Sequence, residues 1–321
     1  MISRAQANIL IAVDGSDQSF EVVRYVGRII PPGRARLTLL HIAHEIPESF
    51  WDMELNPQLP QNENWARSLT APQRRIIDDF LDRTRQELHE LGHQDGLVTA
   101  LVKKRQAGVA RDIIKEARQG YQALVLGRRG ASRLPDLVFG SVAGKLMDRL
   151  TDVTLWVVGG SPDPGKLLAA MDSSESAIRL VDYAGQVFEE SLPELLLFHV
   201  IRDFRVTLPD AARACLNDEA KELTSLAGEQ AKRAAAAMVP LLQQGVQALR
   251  DRGGRPDNIL AKIITEEPSR SGAIIREARQ GGYGTVVMGR KGVSRVAEFP
   301  FGRVSHKVIQ MADDVAVWVV N

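Results

Sequence analysis

Short apolar runs alternate along this chain with longer segments whose apolar positions recur at helical spacing, the pattern of successive βαβ units and a mostly parallel sheet. In the first half the runs predict strands near 8–13, 37–42, 97–102, 122–127 and 153–158. Helical periodicity between them predicts helices near 17–29, 74–91, 109–119 and 140–149. The stretch Ile46 to Pro72 is rich in Pro, Asn, Gln and Glu, follows neither period, and is expected to be a long surface insertion. In the second half, strands are expected near 166–171, 194–200, 258–264, 284–288 and 315–320, around a long helical stretch at about 210–250. Its Ala231 to Met238 segment favours helix, and Pro240 is expected to kink it.

The two halves repeat one another. Ile9-Leu-Ile-Ala-Val-Asp14 has its counterpart in Leu167-Leu-Ala-Ala-Met-Asp172, each followed by a serine-rich turn, Gly15-Ser-Asp-Gln-Ser19 and Ser173-Ser-Glu-Ser176. Leu39-Leu-His41-Ile42 returns as Leu197-Phe-His199-Val200 at the same spacing. Glu116-Ala-Arg-Gln-Gly120 returns as Glu277-Ala-Arg-Gln-Gly281, and Trp156-Val-Val158 as Trp318-Val-Val320. An identical order of landmarks implies two homologous domains, residues 1–159 and 166–321, joined by a linker at 160–165 within the Gly- and Pro-rich run Gly159 to Gly165.

Composition agrees with two compact domains: 321 residues, 44% of them hydrophobic. The 41 Lys and Arg against 40 Asp and Glu leave a formal charge of +1, so no global field favours nucleic acid or an anionic membrane. The one cysteine, Cys215, supports neither an intrachain disulfide nor a metal framework, and a small buried apolar role in the long helix is expected of it. With no signal-like N-terminus and no apolar run of membrane-spanning length, a cytoplasmic protein is expected.

The segment with most chemistry is Ala123-Leu-Val-Leu-Gly127-Arg-Arg-Gly130, followed by Gly140-Ser141 at the start of a helix. Glycines let backbone N–H groups approach an anion, and a helix N-terminus adds free donors and a positive dipole end. Together they suit a phosphate cradle at the carboxyl edge of a parallel sheet. The alternative is a pair of ordinary turns. The pattern recurs at Gly289, Gly292 and Gly302.

Val13-Asp14-Gly15-Ser16 after the first strand, His41-Ile42 ending the second, and the spaced G-x-x-G-x9-G-S motif resemble the universal stress protein family in its tandem two-domain form, over nearly the whole chain. The resemblance implies an α/β fold of two tandem doubly wound domains, each a five-stranded parallel sheet of order 3-2-1-4-5, like the adenine nucleotide alpha hydrolases. It implies ATP as ligand, with or without Mg2+. Asp14 would face the ribose or adenine, and Ile42 would give backbone contacts to adenine. Leu126 and Gly127 would line the ribose, and Gly130, Gly140, Ser141 and Val142 would hold the triphosphate.

The second half carries Asp172, Val200, Met288, Gly289, Gly292 and Gly302 at the corresponding places, but Arg303 replaces the serine and Ser305 follows two residues later. Arg303 either pairs with phosphate or fills the pocket. The first half departs from the family at Gly108-Val-Ala, where a Gly-Asp/Asn-Pro turn is common, without touching the phosphate cradle. The family also pairs last strands between subunits, so an intramolecular pseudo-dimer through the strands of Trp156 and Trp318 is expected, with further homo-oligomerisation open.

Arg128, Arg129, Arg290 and Lys291 are either phosphate clamps or solvated loop charges. His41 and His199 lack partners at catalytic or metal spacing and are expected to be structural, and Asp14 and Asp172 to be caps or ligand contacts. No catalytic and no metal-ligating residue is assigned. Gly15-Ser-Asp-Gln-Ser19 does not match the Ser-Gly-Gly-x-Asp-Ser loop of related hydrolases and ligases, and a Walker lysine-serine motif is missing. The leading expectation is therefore an ATP-binding regulatory stress protein; the alternatives are a slow ATPase and a nucleotide-independent partner scaffold.

Overall fold

A computed structural model of the chain describes residues 6–43, 63–130, 140–174, 176–202, 218–292 and 301–321. The chain divides into two compact units, Met1–Val153 and Thr154–Asn321.

The first unit runs β1 (Ala7–Ala12), α1 (Asp17–Ile29), β2 (Ala35–Ala43), α2 (Glu63–Glu90), β3 (Val98–Lys104), α3 (Val109–Ala117), β4 (Ala123–Gly127) and α4 (Ser141–Arg149). Its strands are parallel and lie in the order β3-β2-β1-β4. Ile9, Leu10 and Ile11 are all buried, as a parallel strand covered on both faces requires. Helix α1 begins at Ser16, whose side chain accepts from the Ser19 N–H, and buries Val22, Val23, Val26 and Ile29. Each such side chain stabilises the fold by roughly 1.5–3 kcal/mol. The extended Ile30 and then Pro31 end the helix.

Helix α2 corrects the reading of Ile46 to Pro72 as wholly irregular: 63–72 is helical and continuous with the expected 74–91 helix, and Pro72 stands inside it. The remainder of that stretch, 46–62, lies outside the described residues. Helix α2 packs chiefly on α1 and also touches β3. Phe80 meets Phe20 edge-on at 6.3 Å, and Arg24 donates to Glu87 at 2.8 Å. A Cβ on Gly27 would stand 2.7 Å from Leu91 Cδ1 and 2.8 Å from Leu88 Cδ2, so the glycine is what lets the two helices approach.

The second unit runs β5 (Thr154–Val158), β6 (Lys166–Ala170), α5 (Ser176–Phe188), β7 (Glu194–Arg202), α6 (Asp218–Asp251), β8 (Ile259–Glu267), α7 (Arg270–Gly281), β9 (Thr285–Gly289), α8 (Arg303–Met311) and β10 (Ala316–Val320). Strands β8-β7-β6-β9-β10 are parallel neighbours, which is the order 3-2-1-4-5 of one repeat. Helices α5, α7 and α8 add to the one long helix legible in the sequence. That helix is seen from Asp218, and 210–217, with Cys215, lies outside the described residues.

The last strands of the two repeats pair, as expected. Strand β5 lies in the second unit and pairs antiparallel with β10, Trp156 opposite Trp318. The two indoles stack at 3.8 Å, and Trp156 Nε1 donates to the Tyr183 hydroxyl at 3.0 Å. Burial pushes the Tyr183 hydroxyl far above its ordinary pKa, so it stays protonated.

Candidate functional site

In the first unit the predicted residues gather at the carboxyl ends of β1, β2 and β4, where ligands of open α/β sheets bind. Asp14 follows β1 and is exposed. Its Oδ1 accepts from the Ser16 N–H at 3.1 Å, the Ser16 hydroxyl at 2.6 Å and the Ser19 hydroxyl at 2.8 Å. Ser16, rather than Asp14, caps α1; Asp14 is held by the turn that leads into the helix. Gly15 has φ +83°, a backbone conformation strained for any residue with a side chain, and a Cβ there would press on Ile77 Cδ1 of α2 at 2.9 Å. His41 Nδ1–H donates to the Val13 carbonyl at 3.0 Å, tying the end of β1 to β2 beside Asp14.

Gly127 ends β4 against α1: a Cβ there would meet the Arg129 carbonyl at 2.9 Å and Gln18 Cγ at 3.1 Å. At Gly130 a Cβ would collide with Asp14 Oδ2, so Gly130 lies directly against that carboxylate. Gly140 caps α4 with φ −62° and ψ 146° and no side-chain hydrogen bond. Its N–H donates to the Arg128 carbonyl at 3.1 Å, and its Cβ position is 3.6 Å from the Gly130 nitrogen. Gly140 thus clasps the two loops together, leaving the first N–H groups of α4, at Ser141 and Val142, without intrahelical acceptors. Ser141 is exposed, and the side chains of Ile42 and Leu126 are buried at 4% exposure, which restricts those two residues to backbone roles.

At the departure from the family turn, Gly108 has φ +122° and caps α3, and the loop is held by Asp112. Burial alone would raise the Asp112 carboxyl, but the N–H groups of Gln106, Ala107 and Gly108 hold it below its ordinary pKa.

The second unit reproduces this frame. Asp172 Oδ1 accepts from the Ser174 N–H at 3.0 Å, a Cβ on Gly292 would collide with Asp172 Oδ2, and Gly302 N–H donates to the Arg290 carbonyl at 2.8 Å. His199 Nδ1–H donates to the Met171 carbonyl at 2.8 Å. Burial lowers the His199 pKa, the Met171 hydrogen bond opposes this, Arg270 adds to the depression and Asp172 opposes it. The ring is therefore neutral at pH 7, with Nε2 left as an acceptor. Met288 and Val200 are buried strand-end residues, like Leu126 and Ile42.

Two differences separate the cradles. Arg303 stands exposed at the first position of α8, where the first cradle has Ser141. Ser305 does not replace the missing hydroxyl: it is buried and donates to the Gly289 carbonyl at 2.7 Å. The sequence reading also missed Arg270, which opens α7 and whose Nε donates to the Val200 carbonyl at 3.3 Å. Aligning the repeated Glu-Ala-Arg-Gln-Gly segments sets Arg270 opposite Val109 of the first half, a signal available in the sequence.

Arg128 and Arg290 are not solvated loop charges: their exposures are 4% and 5%. Arg290 Nε donates to Asn321 Oδ1 at 2.8 Å, and its guanidinium lies 4.5 Å from the centre of the Phe301 ring. Arg129 is exposed and Lys291 half-buried, both beside their cradle glycines.

A groove of about 540 Å³ between α6 and β8, lined by Val239, Leu242, Val246 and Ile263 among others, includes none of the cradle residues. Among the described residues no cluster of His, Cys, Asp and Glu suits a metal ion, and no helix is long and apolar enough to cross a membrane.

The structure resembles a universal stress protein from Archaeoglobus fulgidus at a TM-score of 0.61, with 18% identity and 98% of each chain covered. It resembles a putative universal stress protein from Pseudomonas aeruginosa at 0.52, with 14% identity over 98% of this chain and 93% of that one. At these identities the likeness concerns the fold. In sequence, 147 residues, 46% of this chain, are 30% identical to 93% of universal stress protein YxiE from Bacillus subtilis. The model of the universal stress protein family matches twice, at residues 7–158 and 164–321, and the chain belongs to that family in tandem form.

Proposed function

We propose that the first unit binds ATP and that the chain acts as a regulatory protein without committed catalysis. The observation that carries the reading is the clasp between two glycine loops. Gly140 N–H holds the Arg128 carbonyl, bringing the donor-bearing start of α4 against Gly130, which in turn lies against Asp14. An anion held by the Ser141 and Val142 N–H groups and the Ser141 hydroxyl would gain charge-assisted hydrogen bonds and the positive end of the helix dipole. Asp14 would take the sugar hydroxyls as acceptor, and the ends of β2 and β4, at Ile42 and Gly127, would offer backbone to the base and ribose. Mg2+ would serve by neutralising the phosphates, with no protein cluster to hold it among the described residues. Family membership supports a stress-response role.

Isothermal titration tests the reading. The wild-type chain is expected to take up ATP, and Gly140→Trp to abolish uptake at the first unit. Gly140 has backbone angles any residue adopts, with 3.6 Å of clearance at Cβ, so the fold should persist while the indole fills the cradle. A wild-type chain freed of bound nucleotide that shows no heat with ATP at millimolar concentration would overturn the proposal.

A further inference from the structure

We infer that the second cradle has changed its ligand class, from a nucleotide to a polyphosphate without a base, and that Arg270 sets the change. The inference rests on the ATP reading of the first unit. At four equivalent positions around the mouth the first unit has Asp14, Val109, Arg129 and Ser141, and the second has Asp172, Arg270, Lys291 and Arg303. One cation beside one carboxylate becomes three cations beside one carboxylate, without loss of the backbone frame. Gly292 still lies against Asp172, and Gly302 still clasps the Arg290 carbonyl.

Arg270 decides the specificity by where it donates. Its Nε takes the Val200 carbonyl at the carboxyl end of β7, the strand end that would offer an acceptor to the amino group of a base. Arg270 is exposed, yet this hydrogen bond holds the guanidinium over the end of β7, near enough to His199 for its charge to oppose protonation of that ring. A base entering there would have to displace a guanidinium from its carbonyl and leave a hydrogen bond unmade, the kind of mismatch that discriminates strongly between ligands. A polyanion meets the opposite situation: planar donors at Arg270 and Arg303 and an ammonium at Lys291, around a helix start bearing free N–H groups. In the first unit Val109 makes no such claim on the end of β2, and the α3 turn is held instead by Asp112.

The test uses the full chain carrying Gly140→Trp, so that only the second cradle is read, titrated in parallel with ATP and with inorganic tripolyphosphate. Tripolyphosphate is expected to bind once per chain, at least about tenfold more tightly than ATP. Adding Arg270→Ala is expected to reduce that preference to about threefold or less. Binding of ATP as tightly as tripolyphosphate, a preference unchanged by Arg270→Ala, or no binding of either ligand would each overturn the inference. The wild-type titration with ATP reports on the first unit independently. Uptake of ATP that Gly140→Trp removes leaves the first reading standing whatever the second cradle does. Failure of wild-type uptake together with tight tripolyphosphate binding to the Gly140→Trp chain would overturn the first reading alone.

Discussion

Gly130 and Gly292 have no Cβ because a carboxylate oxygen of Asp14 or Asp172 occupies the place where one would be. The repeated glycines are therefore steric necessities of the frame as well as openings for a ligand, and both cradles retain the frame. The repeated Glu-Ala-Arg-Gln-Gly segment is likewise structural: Glu116 and Glu277 engage Lys103 and Lys262 of the edge strands, while Arg118 and Arg279 reach Asp152 and Asp314. His199 offers a measurable consequence at this scale. Its pKa in the folded chain lies below the ordinary 6.5, so between the two values the unfolded chain binds more protons than the folded one. The stability it contributes is complete above about pH 6.5 and is lost as pH falls toward the depressed value. Denaturant unfolding of the second unit, followed by tryptophan fluorescence, is expected to shift to lower midpoint between about pH 7.5 and 5.5, and His199→Gln to flatten the shift. An undiminished shift in the variant would show that other groups cause it.

Among the elements, the strands were the most legible, since a buried parallel strand reads as an unbroken apolar run such as Ile9 to Ile11. Helix α2 was half legible. Its start was hidden by Pro72, which reads as a break in a helical pattern although the helix runs through it; past that point Ile76 is 63% exposed, while Phe80 is buried and packs on α1. The α1–α2 contact should accordingly concentrate its stabilisation at the legible end. Phe80, at 5% exposure and edge-on to Phe20, is expected to cost the first unit about 3 kcal/mol when changed to Ala, read as a lower midpoint in urea. Ile76→Ala should cost less than about 0.5 kcal/mol. In the candidate site, the glycines and Asp14 were legible as a pattern. The inward turn of Arg128 and Arg290 and the reach of Arg270 to Val200 were not, because an arginine's long side chain leaves no periodic trace of its direction.

At the scale of the whole molecule, sequence repeat and compact unit do not coincide: the last strand of the first repeat, β5, lies in the second unit. The cause is visible in its side chains. Trp156 is fully buried, stacks on Trp318 at 3.8 Å and donates to Tyr183, while Phe188 also stacks on Trp318, at 5.9 Å. An indole buried with its N–H satisfied contributes both apolar area and an aromatic pair. Truncation at Trp156 leaves a cavity beside Trp318 and removes one of the hydrogen-bond partners of the Tyr183 hydroxyl, so Trp156→Ala is expected to cost about 3–5 kcal/mol. The location of the damage distinguishes this account from a simple repeat-by-repeat one. Hydrogen exchange should show protection lost chiefly in β10 and β9, with β1 and β2 retaining theirs, because the residues that lose a contact belong to the second unit. Loss centred on β1 and β2 instead would mean that β5 stabilises its own repeat, and that the indole stack with Trp318 is incidental.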